Sequence, residues 1–164
     1  MSEAYEELIQ TEPFHRQSPS LAHELLVDRL HRLVASALPL NSTLQLLPPR
    51  TELVLSEDTR VRPDLTVVRA AQGERPDQAA LLYLVAEVLL PGDHHVDTVI
   101  KKQLWADALL PRLWMVDPRY RNVEVYACGE YGFTLSDILA NHHPLTDPHL
   151  PGLSCPMDRL FPDP

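Results

Sequence analysis

The stretch 81-LLYLVAEVLL-90 sets the strongest limit on the fold. It carries one charge, Glu87, and no turn former. An apolar run of this length without polar alternation does not suit the edge of a sheet. It reads as a central strand buried on both faces, ended by 91-PGD-93.

The rest of the chain supplies layers for that strand. Residues 20–38 have helical spacing, with Leu21, Leu25, Leu26, Leu30, Leu33, Val34 and Leu38 along one broad face. Ser18 or Ser20 can cap this helix and Pro39 stops it. Strands are expected over 43–47, 51–55 and 64–68, with a polar turn at 56–60 and a polar loop at 70–78. A second helix is expected over 96–110, with Val96, Val99, Ile100, Leu104 and Ala108 as its apolar side and Pro111 at its end. Strands at 113–117 and 122–127 follow, with a short one at 131–135. Residues 1–18 read as irregular. Residues 141–164 read as a Pro- and His-rich segment that finishes on Leu160 and Phe161. The sum is one domain over 1–164 of mixed α/β class: a central mixed β-sheet flanked by helices. A hydrophobic content of 45% supports such a core without disulfides, and Cys128 and Cys155 read as isolated thiols. No N-terminal run resembles a signal peptide and no apolar run is long enough for a bilayer, so the expectation is a cytoplasmic protein with no membrane partner.

Two carboxylates are out of place in this pattern. Asp64 opens a strand in 62-RPDLTVV-68, and Glu87 sits late in the buried one. If the two strands are neighbours, both acids can converge on one hard cation, Mg²⁺ or Mn²⁺, with a backbone carbonyl and waters completing the shell. The plainer alternative is that Asp64 caps a turn and Glu87 meets an arginine. Asp97, Lys101 and Trp105 share one helical face by their spacing of four. Lys101 either forms a surface pair with Asp97 or points into the cleft near Glu87. The formal charge of −9 argues against a strong non-specific DNA binder, although a cation in an acidic cleft can still meet phosphates.

In order and spacing, 62-RPDLTVV-68, 84-LVAEVLLP-91, the Asp97–Lys101–Trp105 series and 113-LWMVDP-118 resemble the Uma2 family of nucleases, which have the restriction-endonuclease-like PD-(D/E)xK fold. The resemblance covers about residues 19–161. It implies a metal-dependent endonuclease that hydrolyses phosphodiester bonds in nucleic acid, with DNA the expected substrate. Asp64 and Glu87 would be the metal-binding acids and Lys101 the catalytic lysine, supplied from the helix. Glu24 on the first helix is a candidate further ligand. Asp97 and Arg62 would support the site, Arg62 as a phosphate contact or as the partner of a surface acid. The usual lysine position of the wider fold, two residues past the second acid, is Leu89 here, and the family's serine position is Leu90. Trp105 stands where tyrosine is usual, as does Leu113. A rival reading is a non-catalytic interaction or regulatory module that keeps the fold. Related nucleases often pair, so a homodimer is also expected, with the strand pair at 113–127 offering an edge.

Overall fold

The structure is a computed structural model, and it describes residues 3–70, 78–93 and 95–161. Most of the loop expected at 70–78 lies outside the described residues, as does His94. Seventeen residues form α1 (Leu21–Ala37), started by Ser20, whose Oγ accepts the His23 N–H at 3.2 Å.

Six strands build the main sheet: β3 (Leu44–Leu46), β6 (Leu65–Arg69), β7 (Leu82–Val88), β8 (Arg112–Asp117), β9 (Asn122–Gly129) and β10 (Gly132–Ala140). Their order is β10-β9-β8-β7-β6-β3. Only the β7–β8 pair is parallel, so the sheet is mixed. A single turn, α2 (Gln78–Leu81), leads into β7, and every residue of β7 is buried, as its composition requires of a central strand.

Both faces of the sheet are covered. On one, Leu26, Leu30 and Val34 of α1 pack with Leu65, Leu84, Ala86 and Trp114. The Pro- and His-rich tail joins this layer, because it folds into a hairpin of β11 (Pro144–Asp147) and β12 (Leu150–Pro156) followed by a short α4 (Met157–Leu160). Leu145, Leu150, Leu153, Leu160 and Phe161 all enter the core there. The opposite face carries a helical layer and a second sheet. The helical layer opens with a π-helical segment, Val96–Lys101, that runs into α3 (Lys102–Asp107). The second sheet has four strands in the order β2-β1-β5-β4, from β1 (Tyr5–Ile9), β2 (Glu12–Arg16), β4 (Leu53–Ser56) and β5 (Thr59–Val61). This is an α/β restriction-endonuclease-like architecture, with a mixed central sheet between flanking layers. Among the described residues no helix is long and apolar enough to cross a membrane.

Several expectations need correction. Residues 5–16 form an antiparallel hairpin in place of an irregular start. Its turn, Gln10 and Thr11, has φ of 51° and 69° at both positions, the geometry normally signalled by Asn-Gly or Asp-Gly. Neither is present, and Pro13 speaks against a strand. The turn expected at 56–60 contains the β4–β5 connection and the start of β5. β8 and β9 are interior strands; the edge on their side of the sheet is β10, where Leu135 and Ile138 are 44% and 50% exposed. The buried face of the second helix is shifted: Ile100 and Leu104 pack only partly against the core. Val99, expected inside, is 54% exposed, while Asp97, Lys101 and Trp105 are buried.

The helix ends on Leu109 at φ 55°, a left-handed position that normally takes glycine. Leu109 is 70% exposed, so its side chain contributes little burial. Leu109→Gly is therefore expected to stabilise the fold by about 1 kcal/mol, read as a rise in urea midpoint at constant m-value.

Candidate active site

The register of the central sheet puts the two acids side by side. Leu65 lies opposite Ala86 in the antiparallel β6–β7 pair, so Asp64 falls beside Glu87. On β7, Val85 faces the helical layer, and the alternation of the strand sends Glu87 the same way. A full helical face meets it there. Lys101 Nζ lies 2.7 Å from Glu87 Oε1, and Trp105 Nε1 donates to the same oxygen at 3.2 Å.

Asp64 is buried among donors. Val88 N–H donates to its Oδ2 at 2.8 Å, His23 Nε2 lies 3.2 Å from Oδ1, and Arg50 Nε is 3.4 Å from Oδ1. Burial alone would raise its pKa, but the His23 contact, the Val88 amide and the Arg50 charge outweigh that and hold it below the usual aspartate range. Its backbone carbonyl meets His31 Nε2 at 2.8 Å. Glu87 behaves oppositely. Burial pushes its carboxyl up to about 8 against the attraction of Lys101, with Asp97, Glu7 and Asp64 adding to the rise. Lys101 has no exposed surface, yet its ammonium is held charged. Burial works against the charge, and the surrounding Glu7, Glu87 and Asp97 outweigh it.

The N-terminal hairpin contributes the part of the site that the sequence pattern does not show. Glu7 Oε1 accepts from Lys101 Nζ at 3.0 Å and from the Arg62 backbone N–H at 2.7 Å. Arg16, 3% exposed, reaches Asp97 Oδ1 at 2.7 Å through Nη2. Its Nε lies 3.4 Å from Asp93 Oδ2 and 3.6 Å from Glu7 Oε2. Tyr5 stands beside this cluster; burial pushes its hydroxyl up to about 12. The readable signal for Glu7 is the alternation Tyr5, Glu7, Ile9, but without a turn signature it does not identify a strand. Arg50 was also silent in the sequence. It adopts φ 54° after two prolines, with its amide on Pro63 O at 3.0 Å, and this brings its guanidinium to Asp64.

Four of the residues proposed from sequence therefore come together: Asp64, Glu87, Asp97 and Lys101. Two do not join them directly. Glu24 is committed to Arg50, with Oε1 2.5 Å from Nη2. Arg62 pairs with Glu52 at 2.8 Å and is 40% exposed, so it is the partner of a surface acid. His23 stands next to Glu24 on α1, where the sequence alone allows a helix-surface residue or one at the cleft edge; it is 5% exposed and meets Asp64.

The donor set suits a hard divalent cation. Around the centre, six carboxylates (Glu7, Glu24, Asp64, Glu87, Asp93, Asp97) share three fixed cations (Arg16, Arg50, Lys101). Glu7 Oε2 and Asp97 Oδ2 are buried without a hydrogen bond. Negative charge is thus in excess where water is scarce, which an added cation would offset. Among the described residues no group of three or more His, Cys, Asp or Glu converges as a metal cage. An ion here would rest on two carboxylates and complete its shell with water and substrate phosphate, a common arrangement for Mg²⁺.

Comparison with known proteins agrees with this architecture. No curated protein matches the chain. A crystal structure from Anabaena variabilis ATCC 29413, described as "a putative nuclease belonging to DUF820", superimposes with a TM-score of 0.77 over 98% of this chain and 91% of that one, at 15% identity. That likeness shows a common fold. The profile of the Uma2 family, described as "Putative restriction endonuclease", matches residues 2–158. With nearly its whole length matched, and with its acids and lysine set on a restriction-endonuclease-like core, the chain belongs to the Uma2 family.

Proposed function

We propose that this protein is a divalent-metal-dependent endonuclease acting on phosphodiester bonds of nucleic acid, DNA in the first place. The observation that carries the reading is the meeting of Asp64, Glu87 and Lys101 on adjacent elements, with the lysine 2.7 Å from the second acid. Asp64 and Glu87 would hold Mg²⁺ or Mn²⁺. Bound there, such an ion polarises a phosphoryl oxygen and lowers the pKa of a coordinated water. The protein's own groups do the rest. His23, Arg50 and the Val88 amide keep Asp64 ionised and oriented. Lys101 presents a charged donor to the phosphate or the attacking water and balances charge that develops on the phosphoryl oxygens. Trp105 fixes Glu87 through its indole N–H.

The test is cleavage of single-stranded, duplex and branched DNA and of RNA with Mg²⁺ or Mn²⁺. Asp64→Asn is expected to lower kcat by about 100-fold and to remove a Mn²⁺-binding event seen by calorimetry in the parent protein. Full activity in Asp64→Asn would refute the assignment. One observation favours the second reading, a non-catalytic module: Asp64, Glu87 and Lys101 are at most 5% exposed. Calorimetry separates the two, because a module without a metal site gives no binding event in either protein.

A further inference from the structure

We propose that Glu7 is a positioning residue of the active site, setting the place of the Lys101 ammonium that the reading above assigns to catalysis. The proposal rests on that reading for its meaning in turnover, but on the geometry alone for the contact.

A lysine side chain is a flexible four-carbon stem with a compact charge, and it gives up rotamer freedom when fixed. Something must therefore define where its nitrogen stops. Glu87 provides one contact. Glu7 provides the second, at 3.0 Å, so Nζ is set between two carboxylate oxygens from opposite layers. Glu7 itself does not move freely. The oxygen that takes Lys101 also takes the backbone N–H of Arg62 at 2.7 Å, two residues before Asp64. One carboxylate oxygen thus ties the backbone leading to the first acid to the lysine that leans on the second. Because Glu7 is 1% exposed, water does not replace these bonds when they are lost.

Glu7 also has a task that Glu87 cannot perform. A cation on Glu87 competes with Lys101 for the same carboxylate. Glu7 is then the anion that keeps the ammonium in place beside the substrate. Charge balance alone would be satisfied by a carboxylate at any nearby point, whereas positioning depends on its reach. Glu7→Asp keeps the charge and draws the carboxylate back by one methylene, so the two roles separate in that variant.

The experiment is a kinetic cycle of Glu7→Gln, Glu7→Asp and Lys101→Met, singly and combined, together with ¹⁵N–¹H spectra of the lysine ammonium groups in the full chain. Both Glu7 variants are expected to lose up to about 100-fold in kcat, with KM changed far less. That loss should vanish in the Lys101→Met background. The Lys101 ammonium resonance, slow to exchange in the parent protein, should be lost in Glu7→Asp while the backbone amide spectrum is kept. Multiplicative losses in the double variants, full rate in Glu7→Asp, or an unchanged ammonium resonance each overturn the proposal. If the parent protein cleaves no nucleic acid, the nuclease reading fails; the ammonium spectra then decide whether Glu7 holds Lys101.

Discussion

Arg16→Met is expected to cost about 3–5 kcal/mol of folding stability, visible as a drop in urea midpoint and roughly a 10 °C fall in Tm for a chain of this length. The variant keeps the apolar stem, so packing changes little. What it removes is the guanidinium that links β2 to the π-helical segment, bonded to Asp97 at 2.7 Å and close to Asp93 and Glu7. Asp97 and Glu7 hold this guanidinium charged although burial opposes it. Without it, the carboxylates remain buried with too little positive charge, and that uncompensated burial is the origin of the loss. The double variant Arg16→Met/Asp97→Asn should recover part of the stability. An unchanged midpoint in Arg16→Met would show that the ion pair does not hold the hairpin to the helix.

A second large effect concerns pH. Burial pushes the Glu87 carboxyl up to about 8 in the folded chain, from 4.5 for a free glutamate, against the pull of Lys101. The folded state then binds the proton more tightly than the unfolded one between those values. Its contribution to stability is fully present at and below the ordinary glutamate range and is lost as pH rises through about 8, with a slope of at most about 1.4 kcal/mol per pH unit. Asp97 shifts in the same direction. Asp64 has the opposite sign: its lowered pKa supports the fold above the usual aspartate range and is lost on acidification. Urea titrations from pH 5 to 8.5 should show stability falling with pH in the parent protein and a flatter profile in Glu87→Gln. A cation on Glu87 displaces the proton, so Mn²⁺ should stabilise the protein more at pH 8 than at pH 5. Equal slopes in parent and variant would remove Glu87 as the source.

The Glu87 and Arg16 effects arise from layers that meet only in the folded chain, and the sequence reported them unevenly. The unbroken run 81–90 announced a central strand, and β7 is buried along its whole length. The 3.6-residue periodicity of 20–38 gave α1 almost to the residue. The apolar pattern misled at Val99 and Lys101, because a helix can bury a charged face when carboxylates await it.

By itself the sequence determined the α/β class, the central strand and the candidates Asp64, Glu87, Asp97 and Lys101. Local periodicity and residue order carry that information along the chain. Only the tertiary structure decided which groups hold those residues in place. Glu7, Arg16, His23 and Arg50 lie from 14 to 94 positions away from the site residues they meet. Their contacts follow from sheet register and layer packing, which bring together residues whose sequence separation holds no trace of the encounter.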